Sequence, residues 1–505
     1  MERRSKILIV SISTLLFTLL FHNQALGLNI LIFELSLMVW LFFSKQYKFS
    51  GKNQISCIIG LLITMFSTVF VYSVFAFFVN FLMLFLWVGM MIYPEVHSLV
   101  NAFRLSFSNL LHSQVNFIHE LTNTQIKNHK IARLVWKLKI FIIPLLIVVF
   151  FLFLYSHSNP VFNRLLENTA LFFNRYLTYI FGSIDTSILF TLLIGLLLSI
   201  FILLRTKNLF IVSEDKASNN HLYRTKKSIV RNFKINALRD ELKAAVFLLF
   251  ILNAILVVLN AIDIYWVWFN FEWNGLTLKQ FVHEGTYLLI FSIITSIIVV
   301  LYFFRNNLNF YASNRLLKYL SYIWLAQNAV LAISVAIRNY WYIYYFSLAY
   351  KRIGVIIFLV LTLYGLYTVL IKVKKQKSDF WLLNANTYAL VVILVFCSVF
   401  NWDSLIAKYN FKHSNRSFVH FDYLASLSDK AIPYLDKALP ELIKIDSLQK
   451  ERFPAEQTYY MSSDQYFQTL TEKKKIFKLK WESKNFLSWN LPEYLAYKNL
   501  YPSGK

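Results

Sequence analysis

The chain has 505 residues, of which 57% are hydrophobic, 18% aromatic and only 15% charged, with a formal net charge of +25. Soluble domains carry about 25% charged residues, so water is excluded as the solvent for most of this sequence. Apolar stretches of roughly 17–25 residues, the length of helix that crosses a hydrocarbon core, recur as far as Phe400, and no soluble core needs so many.

Taken in chain order, these stretches predict an all-α integral membrane protein with eleven spans. They lie near 7–21, 26–43, 55–73, 74–93, 140–155, 187–204, 244–265, 286–304, 320–337, 353–370 and 383–400. The first follows Met-Glu-Arg-Arg-Ser-Lys and is short, like a signal peptide, but no small-x-small cleavage site succeeds it, so it reads as a retained span. The uncharged run 55–93 is twice the length of one helix and divides into a tight hairpin around Tyr72 and Ser73. The organisation that follows is a polytopic bundle over 1–400 and a small helical region over 401–505.

Orientation comes from the excess of Lys and Arg on the cytoplasmic side. With an inside N-terminus, segments 1–6, 44–54, 95–139, 205–243, 305–318 and 372–377 hold 29 such residues. The opposite segments hold 6: Arg164, Arg175, Lys279, Arg338, Lys351 and Arg352. An odd span count then places 401–505 outside, as expected of a multi-pass protein of a bacterial inner membrane. The basic surplus is thereby explained without nucleic acid. Its expected partners are the bilayer and its anionic headgroups, worth about 1 kcal/mol per basic residue near the surface, with protein partners open. The densest cluster, 221–243, predicts a lipid-surface helix.

Between the spans, the apolar positions Leu105, Leu110, Leu111, Val115, Phe117 and Ile118 repeat loosely at helical spacing and predict an interfacial helix. His112 and His119 share its face, but two ligands without a third do not make a metal site. The outer segment 157–185 is part apolar. No repeated half and no matched pair of broken helices marks an inverted-repeat transporter. Cys57 and Cys397 are expected in opposite leaflets as packing residues, beyond the roughly 7 Å between Cα atoms that a disulfide allows. The region 401–505 has 16 Lys and Arg against 12 Asp and Glu, with prolines at 433, 440, 454, 492 and 502 that cut it into short amphipathic helices.

Ionisable groups gather at the outer ends of the last five spans. The seventh ends with Asp263, the eighth opens with His283 and Glu284, the ninth ends at Arg338, the tenth follows Lys351 and Arg352, and the eleventh precedes Asp403. At 100° per residue, Gln327, Ser334 and Arg338 fall within about 40° of one another. Glu284, Thr295 and Tyr302 form a second stripe. Asn253 and Asn260 form a third, with Asp263 one turn beyond. Polar stripes within spans face protein or a cavity. One reading is an outward-facing polar cavity in which Glu284 or Asp263 pairs with Arg338 or Arg352 and His283 exchanges protons. The other is that Glu284 caps the positive end of its helix and the arginines sit in headgroups. His283 and Glu284 project about 100° apart, and the second histidine of a His-Glu-x-x-His zinc motif is missing. No metal, cofactor or phosphate loop is expected.

The strings FVHEGTYLLIFSI, FFRNNLNFY, YIWLAQNAVLAISVAIRNYWYIYYFSLAYKRIGV, FNWDSLIAKYN and YLASLSDKAIPYL resemble a family of bacterial multi-pass membrane proteins, common in Bacteroidetes, that is described only as a domain of unknown function. The resemblance is strong over about 260–435. It implies an inner-membrane helical fold and no activity. Three functions stay open. A scaffold, sensor or envelope-assembly component leads, with a closed polar network. A transporter or permease is the alternative, with a cavity reaching the midplane from Glu284, Asp263 and Arg338. An enzyme acting on lipid-linked substrates comes third, with a lateral opening beside His283.

Overall fold

A computed structural model describes residues 3–44, 51–122, 148, 151–152, 155–156, 159–181, 186–224, 231–271, 276–305, 307–454 and 460–502. Among these residues the chain is helical, and the sole strand-like pairing is an antiparallel bridge between His221 and Lys377. Six helices are long and apolar enough to cross a membrane: Asn53–Phe70, Val74–Ile92, Leu238–Phe269, Arg315–Phe346, Tyr350–Lys375 and Asp379–Ser398. Four shorter apolar helices, Ser5–Phe21, Leu28–Phe43, Ser187–Leu203 and Tyr287–Phe303, fall on further expected spans. The expected span 140–155 lies almost wholly outside the described residues.

The chain divides into two compact units, one of Met1–Ala217 with Lys484–Leu491, the other of Ser218–Ser483 with Pro492–Lys505. Residue 400 lies inside the second unit. Unit 1 contains α1 (Arg3–Phe21), α2 (Leu28–Phe43), α3 (Lys52–Phe70), α4 (Val74–Ile92), α5 (Leu99–Thr122), α6 (Pro160–Phe181), α7 (Thr186–Leu203) and α8 (Leu209–Ala217). The α3–α4 hairpin turns where expected. Tyr72 takes the left-handed conformation at φ 50°, and the Ser73 hydroxyl accepts from the Ala76 amide to cap α4. α1 lies along α7, with Ser13 and Ser199 joined at 2.8 Å.

The helix over 99–122, expected at the lipid interface, packs one face against α4 and α7 and leaves Phe103 and Phe107 exposed on the other. A Cβ on Gly89 of α4 would stand 1.9 Å from the Ala102 carbonyl oxygen of α5, so only glycine permits this approach. At that distance polar side chains reach the neighbouring backbone. Ser106 donates to the Phe85 carbonyl, Asn109 to Phe201 at 2.9 Å and Gln114 to Leu197 at 2.9 Å. The unit is completed from far along the chain. Leu28 N donates to Trp489 O at 3.1 Å, Ser488 Oγ to Gln24 at 3.2 Å, and the bare backbone of Gly27 lets Ser488 and Trp489 come close.

Unit 2 contains α9 (Arg231–Asp263), a π-helical turn (Ile264–Phe269), α10 (Leu276–Phe303), α11 (Arg315–Phe346), α12 (Tyr350–Lys375) and α13 (Asp379–Ser398). The short helices α14 (Trp402–Lys412), α15 (Phe421–Ala425), α16 (Ile432–Leu435), α17 (Leu439–Arg452), α18 (Ser463–Glu482) and α19 (Leu491–Leu500) follow. The basic stretch from Arg231 runs into the seventh expected span as one helix of 33 residues, and 225–230 lie outside the described residues. α11 is central, with α9, α10 and α12 against it. Leu249, Ile293, Val300, Leu325 and Leu366 share its core. The outward face is inverted relative to a soluble protein. α9 exposes Phe247, Phe250, Ile255 and Val258 while burying Asn253, Asn260 and Asp263, the pattern expected where lipid is the solvent.

The region after residue 400 packs onto the turn between α11 and α12. Ser347 sits there at φ 70°, and its hydroxyl donates to the Phe418 carbonyl at 2.9 Å. Asn410 brackets Leu348, accepting from its amide at 2.7 Å and donating to its carbonyl at 3.0 Å. Leu348 and Ile353 enter one core with Ile406, Phe421, Leu435 and Tyr466. Cys57 and Cys397 are both free and buried.

Candidate functional site

The two polar stripes of α9 and α11 meet. Asn253 donates to the Leu320 carbonyl at 3.1 Å and accepts from Gln327 Nε2 at 2.7 Å. One heptad on, Asn260 donates to the Gln327 carbonyl at 3.2 Å. Both contacts to carbonyls span 67 residues, so the helices run parallel and in register, as they must if α10 crosses back between them. The same seven-residue phase that aligns the stripes on each helix carries them across the interface.

The ladder ends in charge. Asp263, the last residue of α9, accepts from Ser334 Oγ through Oδ2 at 2.7 Å and from Arg338 Nη2 through Oδ1. The side chains of Arg338 and Asp263 are 6% and 5% exposed. Both carboxylate oxygens are engaged, which is the condition under which a buried ion pair offsets its desolvation. Directly after Asp263 the helix widens into the π turn, a rare conformation often found at functional positions. Trp341 Nε1 donates to the Val267 carbonyl in that turn at 3.2 Å.

Arg352, expected as a partner for a carboxylate, is held by backbone and ring. Its Nη1 donates to the carbonyls of Phe346, at 2.5 Å, and Ser347, and its guanidinium lies 4.2 Å from the centre of the Tyr342 ring. Asn339, next to Arg338, donates to the Arg352 carbonyl at 3.0 Å. Asp403 anchors a separate group. It accepts from Tyr350 Oη at 2.7 Å and Ser428 Oγ at 2.5 Å, with Lys430 Nζ at 3.6 Å. Burial pulls the Lys430 amine below its ordinary pKa, and the charge of Asp403 opposes that shift.

Of the residues singled out in the sequence, then, Asp263, Gln327, Ser334 and Arg338 come together on α9 and α11. Arg352 and Asp403 belong to neighbouring networks. His283 and Glu284 lie on α10, and their side chains are outside the described residues. The sequence reading did not assemble Tyr350, Ser428 and Lys430 around Asp403. No sequence spacing links residues 53 and 25 positions apart. Among the described residues no group of three His, Cys, Asp or Glu side chains is placed to share a metal ion.

The family model for Domain of unknown function (DUF4153) matches residues 9–438, so the match reaches well upstream of the strings around 260–435. The chain belongs to that family. No curated protein matches it, and no solved structure does.

Proposed function

We propose that this member of the DUF4153 family is a scaffold or envelope-assembly component of a bacterial inner membrane, with a cytoplasmic N-terminus, eleven spans and residues 401–505 as an extracytoplasmic cap that meets its partners. The observation that carries the reading is the closure of the Asp263–Ser334–Arg338 group, in which both carboxylate oxygens are already bonded within the protein. A carboxylate so engaged clamps two helices together. The attachment of the cap through Ser347, Leu348 and Asn410 adds support, because it fixes a polar surface to the ends of α11 and α12.

The experiment is thiol accessibility. Ser334→Cys is made in a chain whose Cys57 and Cys397 are replaced by alanine, and intact cells are treated with a membrane-impermeant maleimide. A clamp leaves position 334 unlabelled, with an extracytoplasmic cysteine in the 401–505 region labelled in parallel. Labelling at 334 indicates a water-filled path to the site and replaces the scaffold reading with the transporter reading. Topology is tested separately: a reporter active only outside the cytoplasm is active when fused after residue 502 and silent when inserted near Ser218.

A further inference from the structure

One ionisable group in unit 1 belongs to none of these networks. α2 reads LNILIFELSLMVWLFF, and Glu34 is its one ionisable residue. Glu34 is 7% exposed. Asn80 Nδ2 of α4 donates to Glu34 Oε1 at 2.7 Å, and Thr64 Oγ1 of α3 donates to Asn80 Oδ1 at 3.1 Å. Glu34 and Asn80 each stand six residues after the start of their helices and Thr64 six before the end of its own. At 1.5 Å per residue all three lie about 9 Å in from the helix ends, a depth at which water does not reach a closed bundle.

Among the described residues no counter-charge accompanies the carboxyl. α4 has no ionisable residue, and α3 has only Lys52 at its first position, about 18 Å along the helix from Thr64, together with Cys57, one heptad before Thr64. On α1, Arg3 and Arg4 occupy the first two positions, and Lys6 bonds Glu120 at 2.7 Å. His22, just beyond α1, is within 3.2 Å of Ser187. In the 484–491 segment, Lys484 lies over the Tyr72 ring at 5.1 Å. Glu34 Oε2 is buried and makes no hydrogen bond within the described protein. An ionised carboxylate set among apolar helices without a partner is costly, whereas a neutral acid accepts the Asn80 bond at its carbonyl oxygen and carries its proton on the other.

We propose that Glu34, oriented by Asn80 and through it by Thr64, is a proton-binding site in unit 1, taking up and releasing one proton and so coupling pH to the packing of α2 against α3 and α4. The site does not depend on the scaffold reading of α9 and α11. Its probe is dicyclohexylcarbodiimide. A protonated carboxyl adds across one C=N bond of this reagent, giving its proton to nitrogen, and acyl transfer then leaves a stable N-acylurea on the residue. The full-length protein in lipid vesicles is treated across a pH series, and the adduct is mapped by peptide mass spectrometry. The expected result is an adduct on Glu34 of the unmodified chain, with a yield that falls as pH rises and is the same in sodium and choline chloride. Asn80→Leu is expected to shift that pH profile. Absence of the adduct at every pH overturns the proposal, and protection by sodium at constant pH overturns it in favour of a bound cation. An unchanged profile in Asn80→Leu removes Asn80 from the site.

Discussion

Asp263 and Glu34 are both buried between helices of this protein, and they are held in opposite ways. Asp263 in unit 2 meets Ser334 and an arginine. Glu34 in unit 1 meets one amide. Around Asp263, the helices α9 and α11 carry a ladder of Asn, Gln and Ser that leads up to the charge. Farther along α4, the close contact with α5 at Gly89 is uncharged, and its polar side chains serve neighbouring carbonyls. At Asp263 the opposite charge is built into the next helix. At Glu34 none is supplied among the described residues, and a neutral carboxyl is the form that fits.

The largest effects test that contrast directly. Asp263→Asn or Arg338→Gln strands the other member of a buried pair and is expected to cost about 3–5 kcal/mol, read as a lower thermal midpoint and less folded protein in detergent. The double change is expected to recover part of the loss. If the two effects simply add, Asp263 and Arg338 are not coupled and the contrast fails at its first term. Glu34→Gln, by comparison, keeps the shape of a neutral acid and the Asn80 contact, and is expected to change the midpoint by less than the cost of one hydrogen bond, about 1 kcal/mol. A loss as large as that of Asp263→Asn means that Glu34 is ionised in the fold.

A middle effect tests the packing side. Gly89→Ala places a methyl group within the Ala102 carbonyl, and overpacking of this kind costs typically about 1–3 kcal/mol. The thermal midpoint in detergent reports it, and an unchanged midpoint shows that α4 and α5 can part without loss. Ser334→Ala removes one of two bonds to Asp263 and keeps the ion pair, so about 1 kcal/mol is expected in the same thermal assay.

The smallest effect concerns pH outside the membrane. Lys430 holds its proton less tightly in the docked region than in the unfolded chain. Between the folded and unfolded pKa values the unfolded state therefore binds more protons, and stability rises with pH across that window, toward the ordinary lysine value of about 10.4. Protease protection of the 401–502 region is expected to increase as pH rises into that range, and Lys430→Met to flatten the trend. Protection that falls instead shows that the attraction of Asp403 outweighs burial.

How much of this was legible in the sequence depends on whether one helix or two must be considered. The stripe of Gln327, Ser334 and Arg338 is a property of one helix, since seven and four residues return to the same side, and the structure uses it as read. So is the stripe of Asn253 and Asn260 with Asp263 beyond. The choice of partner is not such a property. The sequence left Arg338 opposite either Asp263 or Glu284, and the parallel register of α9 and α11 sets it on Asp263. Glu34 went unnoticed because nothing on its own helix answers it. Its amide and hydroxyl stand 46 and 30 residues downstream on other helices. The hairpin at Tyr72 and Ser73 was legible because a length limit, rather than a contact, dictates it. For residues 99–122 the sequence could not name α4 as a neighbour, because an amphipathic period is the same whether lipid or another helix covers the face.

The hydrogen bond between Gln24 and Ser488 joins residues 464 positions apart, and it sets a clock on assembly. A ribosome adds about 5–20 residues per second, so roughly 20–90 s separate the emergence of the first partner from that of the second. Throughout that interval the opening of α2, with the bare backbone of Gly27 beside it, waits for its neighbour. The N-terminal half of this protein is therefore made early and finished late, and a premature stop anywhere before codon 484 leaves it open however well its own helices have inserted.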